Sequence, residues 1–330
     1  MAGRYFGSHT KFICLLLLIL LTVVIVNLRR PSQEILPHTS IPRPEGSGGQ
    51  LLALQAEVGH LRALLAGCGV AVGPRATEQF VPIHVITPTF ARPVQKAELT
   101  RLAAVLLLVP GLHWILVEDA ASKTELVTNF LAYSGINYTH INVQTPSEMK
   151  LKSTDPHWSK PRGVQQRNEA LAWLRRNALP GQPGVVYFAD DDNSYSPDLF
   201  PALAATSTVS VFPVGLVGGV MVERPRVAAG KVTGWSVGWG TDRAFATDMA
   251  GFAINLSFLL QHPAAKFAAK VKRGNQESEF LSQLVRLDQL EPISNDRVMV
   301  WHTRTEDPNL NMEKKFEKVN GHASDLGLEV

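Results

Sequence analysis

Ala189-Asp190-Asp191-Asp192-Asn193 follows directly on an apolar stretch that begins at Gly184 and ends at Phe188. Three adjacent carboxylates repel one another unless a cation or a basic group joins them. Hard oxygen donors with open positions suit Mg²⁺ or Mn²⁺ carrying a phosphate-bearing ligand. In open α/β sheets such ligands gather beyond the carboxyl ends of the strands. The alternative is an exposed acidic turn that caps the next helix, since Asn193-Ser194 and Ser196-Pro197 resemble a helix start.

Other groups with chemical capacity stand at comparable places. Glu118-Asp119 closes a second apolar run, where a carboxylate can accept from a base or ribose donor or can cap a turn. Arg162 and Arg167 flank the start of a helical pattern. Arginines sit badly in the positive field of a helix N-terminus, which points to an anion shared between them and the helix amides, or else to two solvated side chains. Val300-Trp301-His302-Thr303-Arg304 reads as a strand whose alternation puts His302 and Arg304 on one face. That pair can clamp a diphosphate, with a structural histidine as the plainer reading. Glu277 follows Lys270-Val-Lys272-Arg273-Gly274 and opens a helix. It is either a first-turn capping carboxylate or a general base.

The elements that must position these groups alternate. Val81–Thr87, Leu112–Val117, Tyr138–Gln144 and Gly184–Ala189 read as strands, and Glu98–Val109, Glu125–Tyr133 and Gly163–Ala178 as helices. Such alternation predicts an α/β domain with a mostly parallel central sheet covered on both faces. Past Asp192 the pattern loosens. Val209–Val217, Val220–Glu223, Lys231–Trp239 and Met299–Arg304 read as strands, and Phe252–Leu260 and Glu277–Leu284 as helical or mixed. Glycine-rich dinucleotide and phosphate-loop fingerprints are absent.

Phe12–Leu28 is an apolar run closed by Lys11 and by Arg29-Arg30. It spans roughly 25 Å, the short end of a membrane helix, and no small-residue cleavage site follows it. It predicts an uncleaved signal anchor with a cytoplasmic tail at 1–11 and a lumenal body. A Pro- and Gly-rich stem over 29–77 holds a short heptad seam at 51–65 (Leu51, Leu54, Val58, Leu61, Leu65) beside Cys68. That seam is either a dimerising element or a short amphipathic helix packed on the body. The catalytic domain is expected over 78–330, split into halves at 78–192 and 193–330. Lys plus Arg number 32 against 29 Asp plus Glu, a net charge of +3, which excludes a polybasic nucleic-acid binder. Two cysteines exclude a disulfide framework and a cysteine-rich zinc module. In a lumenal body, Asn137-Tyr138-Thr139 is a glycosylation sequon, whereas Asn255-Leu256-Ser257 lies in an apolar segment that blocks it.

The ordered segments His84–Arg101, Leu112–Asp119, Gly184–Asn193, Pro213–Gly219, Asp248–Phe252, Gln276–Ser278 and Val300–Glu306, with the terminal Leu328-Glu329-Val330, together resemble the β-1,3-glucuronyltransferases. The resemblance implies a nucleotide-sugar (GT-A) fold, a single-pass type II protein of the Golgi membrane, and a homodimer. It places the uracil among Pro88, Thr89 and Phe90, with Asp119 and Arg162 fixing its edge and ribose. Asp191 then holds the ribose, Asp192 ligates Mn²⁺ with the diphosphate, and Asp190 pairs with Arg167 near the glucuronate. His302 and Arg304 face the diphosphate and Asp248 the donor sugar. Glu223, Arg243 and Glu277 lie on the acceptor side, with Glu277 as base. The chain departs from the family at Phe90, where Tyr is usual, at Ala244, where Pro is usual, and at Ser294–Arg297, which lacks a cysteine and a sequon.

The activity so implied is inverting transfer from UDP-glucuronate to a galactose-terminated glycan. Gly234-Trp235, Gly238-Trp239, Asp242-Arg243 and Asn137–His140 look closer to the brain-type enzymes, which makes terminal galactose of N-acetyllactosamine the expected acceptor. The galactosyl-galactose linker of proteoglycans is the alternative. An inactive lumenal glycan-binding protein is a third, disfavoured because Asp190, Asp191, Asp192 and Glu277 are all present.

Overall fold

Ile83, Val85 and Ile86 are almost completely buried, as are Leu112 and Trp114–Val117 one strand away. Near-continuous apolar runs of this kind belong to parallel strands covered on both faces. The computed structural model describes residues 81–151, 155, 160–306 and 308–330. The tail, anchor, stem and Cys68 lie outside the described residues. Among those described, no helix is long and apolar enough to cross a membrane.

In chain order the elements are β1 (Ile83–Thr89), α1 (Gln95–Leu106), β2 (Leu112–Glu118), α2 (Glu125–Tyr133), β3 (Tyr138–Asn142), α3 (Val164–Asn177), β4 (Val185–Phe188), β5 (Ser194–Tyr195), α4 (Leu199–Leu203), β6 (Val209–Val211), β7 (Val214–Val217), β8 (Val220–Ala228), β9 (Lys231–Ser236), β10 (Phe252–Asn255), α5 (Leu256–Leu260), α6 (Gln276–Leu281), β11 (Glu291–Pro292), β12 (Val300–Trp301) and α7 (Asn311–Asn320). The first sheet runs β11-β6-β10-β4-β1-β2-β3. β3, β2, β1 and β4 are parallel, and β10 is antiparallel to both its neighbours. The expected mostly parallel α/β sheet is therefore present.

Side-chain alternation divides the core. Val85, Trp114, Leu116 and Tyr187 pack with Leu99, Leu102 and Leu106 of α1 and with Val127 and Leu131 of α2. Ile86, Ile115, Val117 and Phe188 point the other way, onto Leu171 and Leu174 of α3 and Phe280 of α6. Helices on opposite faces leave the carboxyl edge of the sheet open.

A second sheet, β5-β12-β7-β8-β9, was not foreseen as separate. The run Val209–Val217 read as one strand is two, β6 in the first sheet and β7 in the second. Pro213 sits between them, has no N–H for a ladder, and marks the switch. Phe252–Leu260 is strand then helix, because the Asn255 side chain accepts from Phe258 N at 3.1 Å and starts α5 as a cap. β12 stops at Trp301, where Thr303 N turns back to Trp301 O at 2.9 Å. Alternation therefore does not carry to Arg304, and the shared face argued for His302 and Arg304 has no strand beneath it.

Candidate active site

β1 and β2 end level, Thr89 opposite Glu118, and β4 ends three residues short of them, Phe188 opposite Ile86, so that the acidic triplet runs on alongside the end of β1. Asp119 N donates to Thr89 O at 2.8 Å, and Ala189 N donates to Ile86 O at 2.9 Å. The acidic triplet, Asp119 and the Pro88-Thr89-Phe90 corner thus share one sheet edge, the place where α/β sheets bind ligands. The helix-cap alternative for the triplet fails, since β5 intervenes before α4 and pairs with β12.

The three carboxylates have three different environments. Asp190 forms an ion pair with Arg167, which is 6% exposed. The same guanidinium donates to the carbonyl of Arg162 at 2.9 Å. Gly163 makes room for it: its φ is +72°, and a Cβ there would lie 2.7 Å from the Arg167 Nη1. The anion expected between Arg162 and Arg167 is therefore, for Arg167, a carboxylate of the protein itself. Asp191 is buried, accepts from Thr89 Oγ1 at 2.7 Å and pairs with Arg92 at 2.8 Å. Asp192 differs: among the described residues its carboxylate has no hydrogen-bond or ion-pair partner, while its carbonyl accepts from Arg101 and Thr303. Burial first, then the charges of Asp190 and Asp191, push its carboxyl above the usual range.

That donor set fits a divalent cation. Among the described residues no group of three metal-ligating side chains exists. One unpartnered carboxylate with a raised affinity for positive charge matches a Mg²⁺- or Mn²⁺-type ion that completes its shell with phosphate oxygens and water.

Arg92 was not singled out in the sequence, yet it touches two site residues. Its guanidinium lies 4.7 Å from the centre of the Phe90 ring and donates to Phe90 O at 3.2 Å, besides holding Asp191. Phe90 is 43% exposed, so a face of the ring remains for a planar ligand. The available signal was a guanidinium two residues past an aromatic at a strand end. Asp119 is already engaged: Thr145 donates to it from both N and Oγ1, each at 2.7 Å. Arg162 and Arg304 are exposed.

His302 lies 3.2 Å from Asp248, whose other oxygen accepts from Ala250 N at 2.9 Å. The Asp248 carboxylate beside it raises His302 to about 9, against the opposing effect of burial. Burial pushes Asp248 upward, but His302 and the Ala250 amide outweigh it and leave the carboxyl below its usual range. The charged pair adds stability that is whole below the ordinary histidine value of 6.5 and is lost as pH rises through about 9.

The charge of Asp248 also reaches Glu223 and Glu277. Glu223 is buried, accepts from Gly238 N at 3.0 Å, and is raised by burial. A Cβ at Gly218 would fall 1.9 Å from its Oε1, so only glycine allows that approach. Arg243 clasps two loops, donating to Gly240 O and Gly274 O at 3.1 Å each and to Trp239 O at 3.3 Å, with its guanidinium 4.5 Å from the Trp239 ring centre. Glu277, two residues after Asn275, opens α6. Burial, then the charge of Asp248, raises it to about 7, and Arg167 and Arg243 partly oppose this. The Asn275 side chain makes no cap bond, so Glu277 is not part of a capping box. A carboxylate poised near neutrality beside a fixed cation cluster can exchange a proton with a bound hydroxyl.

Asn137 is exposed in the turn before β3, whereas the Asn255 amide is consumed as a helix cap and by a bond to Thr206 O.

The sequence profile of glycosyltransferase family 43 matches residues 102–306. Galactosylgalactosylxylosylprotein 3-beta-glucuronosyltransferase 3 of Cricetulus griseus is 46% identical over 307 residues, covering 89% of this chain and 91% of the relative. The human protein named galactosylgalactosylxylosylprotein 3-beta-glucuronosyltransferase 2 is 46% identical over 339 residues, covering 97% and 98%. The Drosophila melanogaster protein with the suffix I is 50% identical over 256 residues, covering 75% and 83%.

Proposed function

The chain belongs to glycosyltransferase family 43, and from that membership we propose that it transfers glucuronate from UDP-glucuronate to the galactosyl-galactosyl-xylosyl linker of a protein. The names of the relatives favour this acceptor over the N-acetyllactosamine galactose that the sequence suggested. The observation that carries the reading is the succession of neighbouring groups Asp192, His302, Asp248 and Glu277, with His302 paired to Asp248.

Uridine is proposed to stack on Phe90 at the Pro88-Thr89 corner. Asp192 would hold a divalent cation such as Mn²⁺, which when bound neutralises charge on the diphosphate. His302, charged below about 9, and Arg304 place positive charge near the same group. Glu277 takes the proton of the acceptor hydroxyl as that oxygen attacks the anomeric carbon, and UDP leaves from the opposite face. A single in-line displacement inverts the α-linked donor to a β product with no covalent enzyme intermediate, as water does in inverting glycosidases.

Turnover should therefore follow a bell in pH. It rises as Glu277 ionises near 7 and falls as His302 loses its proton near 9. Initial rates at saturating donor across pH 5 to 10 check this, and a flat profile through 7 argues against Glu277 as base.

We also propose a Golgi-lumenal body behind the Phe12–Leu28 anchor, and a homodimer, the latter resting on the 51–65 seam beside Cys68. If so, Asn137 carries one N-glycan. Endoglycosidase treatment should shift the wild-type protein by one glycan and leave Asn137→Gln unmoved; two glycans, or none, contradict it.

A further inference from the structure

The carbonyl of Asp192 is held from two sides. Arg101 Nη2, from α1, donates to it at 2.7 Å and also reaches Asn193 O at 3.4 Å. Thr303 Oγ1, just past β12, donates at 2.6 Å. Arg101 is in turn paired with Glu98, one turn earlier on α1. Glu98 is 5% exposed, and Thr305 Oγ1 donates to its other oxygen. An exposed ion pair would count for little. Here the carboxylate is buried, and a buried carboxylate must be paired and bonded. Glu98 thus fixes where the guanidinium points.

The chain before Asp192 is held by the Asp190–Arg167 and Asp191–Arg92 pairs, so restraining the Asp192 carbonyl as well limits rotation about its Cα–C bond and narrows the directions open to Cα–Cβ. Asp192 needs such restraint, because Asp190 and Asp191 repel its side chain and among the described residues nothing on the protein holds the carboxylate itself. Thr303 and Thr305 also flank Arg304 and follow His302, so the same bonds set the cationic segment in register with the acidic loop.

We propose that Arg101, aimed by Glu98, is a positioning residue that sets the direction in which Asp192 presents its carboxylate to a divalent cation. The inference rests on the metal–diphosphate reading of Asp192 given above.

The test is calorimetric titration of UDP, with and without Mn²⁺, into the wild-type chain, Arg101→Met, Arg101→Lys and Thr303→Val, each with a thermal melt. Residues that orient metal ligands are typically worth about 10–100-fold in metal affinity. Arg101→Met should weaken Mn²⁺-dependent UDP binding by about tenfold or more and leave metal-free UDP binding unchanged. Arg101→Lys should recover part of the loss, because an ammonium can stand in for the Nη2 donor but is not held in direction by a planar group. Thr303→Val should lose less, in the same direction, and decides the matter if Arg101→Met does not fold. Unchanged Mn²⁺–UDP affinity in the variants, or an equal loss with and without Mn²⁺, overturns the inference while the metal reading stands. A wild-type UDP affinity that is the same with and without Mn²⁺ overturns both.

Discussion

Glu277→Gln should lower turnover by about 10²–10⁴-fold, the usual worth of a positioned acid–base group, with UDP affinity near that of the wild type. Glutamine keeps the size and most hydrogen bonds of the side chain but cannot take a proton. Uridine and diphosphate are assigned to other residues, so donor binding has no reason to change. The variant should also lose the acidic limb near 7, since the group that burial raised to that value is gone. A helix-capping carboxylate would behave otherwise: glutamine caps nearly as well, and activity would track stability. Initial rate and UDP affinity measured on the same preparation separate the cases. Near-wild-type turnover discards the catalytic role, and loss of both rate and affinity indicates a disturbed fold.

The second large effect is expected at Asp192. Asp192→Ala should abolish the Mn²⁺-dependent part of UDP binding, a loss beyond the about 10–100-fold typical of residues that merely orient a ligand. Stability should move the other way. The folded chain holds the Asp192 proton more tightly than the unfolded chain does, because burial and two neighbouring carboxylates disfavour the charge. A carboxyl raised in this way is no burden below its ordinary value of 3.8 and destabilises the fold increasingly as pH rises through its folded value. Removing it at neutral pH should leave the melting temperature unchanged or higher. Lost metal–UDP binding in a protein no less stable marks a residue kept for function. Calorimetry and a melt at pH 7 are sufficient, and unchanged Mn²⁺–UDP affinity contradicts the assignment.

Legibility in the sequence followed from periodicity and from strand ends. The buried runs at 83–89, 112–118 and 185–188 identified the parallel strands, and the carboxylates just beyond two of them identified the edge where Asp119 and Asp190–Asp192 stand. The pairing of Asp190 with Arg167 was implied by resemblance and is present. The second sheet was hidden, because β5 and β12 have only two residues each and Pro213 sits inside a mostly apolar run. The switch from β10 to α5 at Asn255 was hidden as well: Phe252–Leu260 is apolar on both sides of it, and only the cap tells them apart. Arg92 and Arg101 were missed for a different reason. Each meets the acidic loop more than 90 residues away, at Asp191 or the Asp192 carbonyl, a contact that no local spacing encodes, and for Arg92 only the Phe90 contact is local. Arg243 shows the converse. It was placed on the acceptor side, and the structure shows it clasping Gly240, Trp239 and Gly274 just ahead of Glu277.

The most direct test of the account is the initial rate of glucuronate transfer from UDP-glucuronate to a galactosyl-galactosyl-xyloside and to N-acetyllactosamine, side by side, with Mn²⁺ and with a chelator. Turnover is expected on the galactosyl-galactosyl-xyloside in Mn²⁺, with its loss on chelation and much slower transfer to N-acetyllactosamine. Preference for N-acetyllactosamine would overturn the acceptor and keep the chemistry, whereas transfer to neither acceptor by the folded protein in Mn²⁺ would contradict the account as a whole.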